Sequence, residues 1–449
     1  MQTKLSECLH CTGASKSRRD FLRLGTLGFL EISLSDYLRG TSQAMAAQTV
    51  TPGKAQSVIM LWLEGGPSQM DTWDIKKSSG FKAISTNVPG IQISEIFPKV
   101  SKHMDKLSVI RSMKTEERNH PQATIETLTG HRFNPAIRFP SFGSIVSKEL
   151  QPKNNVPPYT LVPLPNEGNF FTYQPAYQAA FIGAEYDGMV IPDPSNPNFE
   201  VPDLSLPKSI SAEEIESRGA MLKIVDHYYR QKEQIAEFAE MDTFEQQALK
   251  IILSPEVKKA FDLSKESDKT KDLYGRDRVG QSVLLARRLV EGGCRFVVAS
   301  GYKHGQWDTH ASNEQRLKDE LAPTLDRTLS ALMADLSDRG LLESTVVIVT
   351  GEFGRTPNVN PNAGRDHWPD CWSLLIGGGG IEGGKVVGES DDQGAYVKDH
   401  PVSLGDLYAT VYKALGIDWT KTYASPTGRP VYIANGFADQ AGAPLTELV

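Results

Sequence analysis

Cysteine is scarce in this 449-residue chain, with four in all, and that excludes a small fold stapled by disulfides. Cys8 and Cys11 form a C-x-x-C close to the N-terminus, so Cys294 and Cys371 alone belong to the body of the chain. Cys294 precedes an apolar run and is expected as a buried free thiol, with one bridge to Cys371 as the alternative. Long hydrophobic runs are missing too: no segment approaches the roughly 20 apolar residues that cross a bilayer. Positive charge is outnumbered, 48 Lys and Arg against 55 Asp and Glu, for a net charge of −7. A nucleic-acid binder normally shows a basic face instead. No serine occupies a G-x-S-x-G elbow, which weakens serine-hydrolase chemistry. Four consecutive glycines from Gly377 to Gly380 lack the Lys-Ser/Thr of a phosphate loop, and they read as a turn.

What is present is ordinary globular composition, 39% hydrophobic and 23% charged. The length suits one large α/β domain with insertions, or two modest ones. At the N-terminus, Arg18-Arg19 precede Phe21-Leu22, a weakly apolar stretch spans 24–34, and Ala44-Met45-Ala46 supply the small-x-small pattern of a signal-peptidase site. This resembles a twin-arginine signal, whose translocase exports folded proteins. Residues 1–46 are therefore expected to be a leader, and 47–449 a periplasmic or extracellular α/β domain. Export after folding suits an enzyme that takes up its metal first.

Residues 57–63 are a continuous apolar run ended by Glu64-Gly65-Gly66-Pro67, the pattern of a buried parallel strand entering a loop. Residues 107–110 predict a second strand. The stretch 151–207 is rich in Pro and Asn and reads as a long surface excursion. A capping box at Ser211 and Glu214 opens a charged helix to about 241, so 151–275 is expected to hold this excursion and a helical insertion. Alternation then resumes, with a helix over 279–290 and a strand over 295–300. Leucines at helical spacing follow from 317 to 336, with a kink expected at Pro323. Strands at 345–350 and 373–376 and a last helix over 403–415, stopped by Gly416, complete the series. Strand–helix alternation of this kind implies a mostly parallel sheet covered on both faces.

Ligand sites in such sheets lie beyond the carboxyl ends of the strands, and the chemistry of this chain collects there. The first strand is followed by Glu64 and Asp71, the second by Arg118-Asn119-His120. The run at 295–300 is followed by Lys303-His304 and Trp307-Asp308-Thr309-His310, and the one at 345–350 by Glu352-Phe353-Gly354-Arg355 and then Arg365-Asp366-His367. The chain has nine histidines, and His120, His304, His310 and His367 all fall in these exits. Carboxylate with imidazole suits zinc, manganese or iron, whereas carboxylates with few imidazoles suit calcium or magnesium. Convergence at successive strand ends points to a metal or acid–base site. A solvated rim of polar loops is the bland alternative.

These segments together, with Leu61–Gly66, Asp71-Thr72-Trp73-Asp74, Leu128-Thr129-Gly130-His131, Gly305–His310, Gly351–Thr356 and Gly364–His367, resemble one family over nearly all of 47–449. It is the exported, uncharacterised sulfatase-like family of the alkaline phosphatase and sulfatase superfamily. The resemblance implies an alkaline-phosphatase-like three-layer α/β sandwich. It also implies a site in which Glu64 or Asp71, Asp308 and His310, Glu352, and Asp366 with His367 hold one or two divalent ions, zinc foremost, with manganese, iron or calcium as alternatives. The implied activity is hydrolysis of a sulfate or phosphate ester, on a small molecule or a carbohydrate.

The departures from that family pattern are as informative. Counting back from Leu128-Thr129-Gly130 puts His120 where sulfatases carry the Cys or Ser matured to formylglycine, so formylglycine chemistry is not expected. Glu352-Phe353 stands where an Asp-His pair is usual, which removes one imidazole. Three routes remain: His120 as covalent nucleophile or metal ligand, Thr124 as an activated alkoxide, or a metal-activated water. Arg355, Arg118 and Lys303 are candidates for holding the anionic ester. Trp62, Trp73, Trp307, Trp368 and Trp372 lie near the strand exits and suit core packing, although sugars stack on such rings. The alternative function is a scaffold or carbohydrate-binding protein that keeps the fold without catalysis.

Overall fold

The computed structural model describes residues 53–150, 153–163, 173–201, 254–303 and 305–449. The leader and the charged helix expected from Ser211 to about 241 lie outside the described residues, as does His304. Eight strands form one sheet: β1 (Ser57–Trp62), β2 (Leu107–Met113), β3 (Tyr159–Val162), β4 (Met189–Val190), β5 (Phe296–Ala299), β6 (Thr345–Thr350), β7 (Trp372–Gly377) and β8 (Val386–Val387). Their spatial order is β8-β2-β7-β6-β1-β5-β3-β4. β1 lies at the centre, paired in parallel with β5 and β6. β7 alone runs against its neighbours, antiparallel to both β2 and β6.

Strand alternation divides the core in two. Ile59, Leu61, Val297, Val347, Val349 and Leu375 point to one face and pack with α3 (Arg278–Gly292) and α4 (Ala322–Asp338). Val58, Met60, Phe296, Val346, Ile348 and Leu374 point to the other. They meet α1 (His120–Thr129), α2 (Phe142–Glu149) and α5 (Leu404–Leu415). Helices on both faces of a mostly parallel sheet make the expected three-layer sandwich. α5 is set by a full capping box between Ser403 and Asp406 and ends at Gly416 with φ 75°.

One expectation changes. The Pro-rich stretch 151–207 is not wholly a surface excursion, because β3 and β4 belong to the sheet. Tyr159–Val162 is only four residues long and is flanked by Pro158 and Pro163, so its apolar run is too short to stand out. The irregularity expected at Pro323 is present as a change of helical hydrogen bonding. Pro323 lies inside an unbroken helical run, Asn313–Arg316, a π-helical turn over Leu317–Leu321 and α4, and the π turn just before it accommodates the missing N–H. Cys294 and Cys371 are both buried and unpaired. The glycine run forms a turn, Gly378, Gly379 and Gly380 all having positive φ. No helix among the described residues is long and apolar enough to cross a membrane.

Candidate functional site

Parallel β1, β5 and β6 deliver their exits to one end of the sheet, and α1 starts there. His120 is the first residue of α1, after the N-cap Asn119 and before Pro121. The turn after β1 passes very close to the turn after β5: a Cβ on Gly65, whose φ is 114°, would lie 2.3 Å from the Asp308 nitrogen. Glycine is needed for that approach. Glu64 reinforces it, its carboxylate accepting from Gly305 N at 3.2 Å and its carbonyl from Trp307 N at 2.9 Å.

Three imidazoles converge on Asp308. His310 Nε2 and His367 Nε2 lie 3.1 and 3.3 Å from Asp308 Oδ1, and His120 Nε2 lies 3.2 Å from Oδ2. The two nitrogens of His310 and His367 are 3.0 Å apart. The donor atoms of His120, Asp308 and His367 all fall within 4.8 Å of one another. Each ring turns its Nδ1 outward to an acceptor. His120 meets Glu352 Oε1 at 2.6 Å, His310 meets Asp366 Oδ1 at 2.7 Å, and His367 meets the Arg118 carbonyl at 2.7 Å. An acceptor at each Nδ1 fixes the ring so that Nε2 is the nitrogen turned inward to Asp308.

A cation placed between these inward nitrogens and the carboxylate would satisfy both. His120 Nε2 is moreover a buried atom without a well-formed hydrogen bond. The donor set of three imidazoles and one carboxylate fits zinc, manganese or iron. It is too rich in nitrogen for calcium or magnesium. In the metal-free site a proton does the bridging instead. Burial alone would lower the His120 pKa, but hydrogen bonds to Asp308 and Glu352 carry it up to about 9. Burial pulls Asp308 upward, yet His120, His367 and the Arg355 charge hold it far below the usual carboxylate range.

Other sequence-predicted residues surround this cluster in different roles. Glu352 is buried and accepts from Gly65 N with both oxygens, at 3.0 and 3.1 Å, besides orienting His120. Asp366, about half exposed, orients His310 and is held below the usual range chiefly by that hydrogen bond. Asp71 is not brought to the cluster. Its fully buried carboxylate is bonded to Ser68, Ser79, Asn313 and, at 2.8 Å, the Arg365 guanidinium. Thr124 follows His120 by one turn, fully buried and with no partner for its hydroxyl. Arg355 is fully buried and spends its guanidinium on the carbonyls of Gly65, Gly66 and Arg365 and on Asp308 Oδ1 at 2.6 Å. It positions Asp308, and its full burial keeps it from reaching an ester in the open site. Arg118, 52% exposed and paired with Asp370 at 2.5 Å, is the reachable cation. Phe353 packs its ring 5.1 Å from His120 and 4.5 Å from His367, an apolar wall where the family pattern carries an imidazole.

Sequence reasoning missed two residues. Arg365 neutralises Asp71 from a fully buried position, and its place directly before Asp366-His367 was the available signal. Tyr173 is buried beside the site. Burial, and then the charges of Glu352, Glu64 and Asp308, push its hydroxyl pKa up. It lies in the Pro-rich stretch, where nothing in the pattern singles it out.

Residues 55–445 match the model of a family described as "Protein of unknown function (DUF1501)". The chain belongs to that family. No curated protein matches it. Among solved structures, it is similar to a protein in the alkaline phosphatase superfamily from Vibrio parahaemolyticus, with a TM-score of 0.38, 13% identity, and coverage of 82% of this chain and 68% of that one. It is also similar to the sulfatase PsFucS1 from Pseudoalteromonas sp., with a TM-score of 0.33, 15% identity, and coverage of 91% and 77%. A third is the lipoteichoic acid synthase LtaP from Listeria monocytogenes, with a TM-score of 0.35, 10% identity, and coverage of 82% and 73%.

Proposed function

We propose that this DUF1501 chain is an exported, metal-dependent hydrolase of sulfate or phosphate esters. One observation carries the reading: three outward-tethered imidazoles present Nε2 to a single carboxylate. His120, Asp308, His310 and His367 would hold the ion, and Glu352, Asp366 and the Arg118 carbonyl would fix the rings. When bound, such an ion supplies Lewis-acid charge to an ester oxygen and lowers the pKa of a water. The chain's own residues then position and exclude. Arg355 holds Asp308 in place, Phe353 keeps water from one wall, and the half-exposed Arg118 guanidinium reaches the anionic group. His120 has no ring nitrogen free to act as a nucleophile, and the Thr124 hydroxyl is sealed from solvent, so water is the favoured attacking group.

Elemental analysis of protein purified without chelator should find at least one zinc, manganese or iron per chain. Hydrolysis of an aryl sulfate or aryl phosphate should disappear, with the metal, in Asp308→Ala and His367→Ala at unchanged melting temperature of the metal-free proteins. Protein that folds normally and never binds metal would sink the proposal. Bound metal without hydrolysis of any ester would favour the non-catalytic scaffold. Export is read from Arg18-Arg19, and Arg18→Lys with Arg19→Lys should strand the chain in the cytoplasm on fractionation.

A further inference from the structure

Beside the histidine cluster the surface carries a second feature that ester hydrolysis does not require. Trp62, Trp73, Trp307 and Trp372 are fully buried core residues, whereas Trp368, next to His367, is only partly covered. Its indole N–H donates to the Ala395 carbonyl at 2.5 Å, and its ring meets Tyr396 edge to face at 5.7 Å. Tyr396 is 56% exposed, more than any other large apolar or aromatic side chain among the described residues.

That exposure is not the result of a slack loop. Asp391 accepts the backbone N–H groups of Gln393, Ala395 and Tyr396, and Gln69 donates to the Gly394 carbonyl at 2.9 Å. The ring is held out on a braced turn. Next to it lies a cleft of about 440 Å³, lined by Lys114, Asp370, Tyr396, Lys398, His400 and Pro401. Arg118 joins cleft to site. Its side chain pairs with Asp370 and lies over Trp368 at 5.5 Å, and its carbonyl tethers His367. An aromatic ring beside the Asp370 carboxylate, the Lys114 and Lys398 ammonium groups and the His400 imidazole, whose Nδ1 meets Glu447 at 3.2 Å, matches the two sides of a sugar ring, apolar C–H groups on one side and hydroxyls on the other.

We propose that this cleft is a saccharide subsite, with a sugar ring stacked on Tyr396 and its hydroxyls bonded by Asp370, Lys114 and His400. This rests on the ester-hydrolase reading and deepens it, since it makes the substrate an ester of a carbohydrate. Binding, however, does not depend on turnover. The test is an oligosaccharide array with neutral, sulfated and phosphorylated members, probed with the full chain, followed by calorimetric titration of a retained member. Tyr396→Ala and Trp368→Leu should weaken that binding at least tenfold while leaving metal content and melting temperature unchanged. Asp308→Ala should lose metal and hydrolysis yet keep the sugar. No oligosaccharide retained, or undiminished binding by Tyr396→Ala, overturns the subsite whatever the hydrolysis assays show. Sugar binding in a chain that neither holds metal nor hydrolyses esters upholds the subsite and removes the enzyme.

Discussion

Two buried carboxylates that look alike in sequence do different work, and their partners decide which. Glu352 faces an imidazole and a backbone amide, so its charge serves to orient His120 and raise the basicity of its inner nitrogen. Asp71 faces a guanidinium, two hydroxyls and an amide, so its charge is already neutralised within the fold. Glu352→Gln should weaken zinc affinity by roughly 10- to 100-fold, the usual effect of losing such a partner. Competition with a chromophoric chelator reads this directly, and the melting temperature of the metal-free protein should barely move. Asp71→Ala should do the reverse. It leaves the buried Arg365 charge unpaired, at a cost of about 3–5 kcal/mol, visible in denaturant unfolding. If Asp71→Ala lost metal with no loss of stability, the assignment of the two carboxylates would be inverted.

At the scale of elements, α1 connects the site to a second charged region, because it begins at His120 and Glu126 and His131 lie at its other end. Burial pushes Glu126 up to about 7 against the pull of the Glu117 and Glu116 amides. Burial pulls His131 down to about 4, the ring stacking on Phe139 at 4.0 Å. The signs oppose. Between pH 4.5 and 7 folded Glu126 binds more protons than the unfolded chain does, so its contribution falls as pH rises. Between pH 4 and 6.5 the unfolded chain protonates His131 more readily, so that contribution rises with pH and is lost on acidification. Each is worth about 3 kcal/mol at most, and they largely cancel between pH 4.5 and 6.5. His131→Gln should therefore give a protein that becomes less stable from pH 4.5 to 6.5, and Glu126→Gln one that becomes more stable, by urea unfolding at each pH. Parallel curves for both variants and the parent would refute this. The same elements show what the sequence discloses. Buried strands such as Thr345–Thr350 are legible because each is one apolar run. The reversal of β7 is not, since an apolar run has no direction, and β3 is hidden by its prolines.

Across the whole molecule, the candidate ligands come from segments far apart in sequence: His120 from the start of α1, Asp308 and His310 from the exit of β5, His367 from the segment before β7. That these residues gather was legible, because polar residues after parallel strand ends have one place to meet. Which would touch an ion and which would only orient a ring was not. That depends on which ring nitrogen faces inward, and only the packed partners Glu352, Asp366 and the Arg118 carbonyl settle it. An ion held between such distant segments binds the folded chain and not the unfolded one, so occupancy should appear as stability. At free zinc about 1,000 times its Kd, the gain is about 4 kcal/mol. Exhaustive chelation should therefore lower the melting temperature by several degrees, and zinc should restore it in a concentration-dependent way. Asp308→Ala removes the carboxylate on which the three rings converge, so its melting temperature should ignore both chelator and zinc. A parent protein equally indifferent to chelator would mean that the imidazoles are held by protons alone.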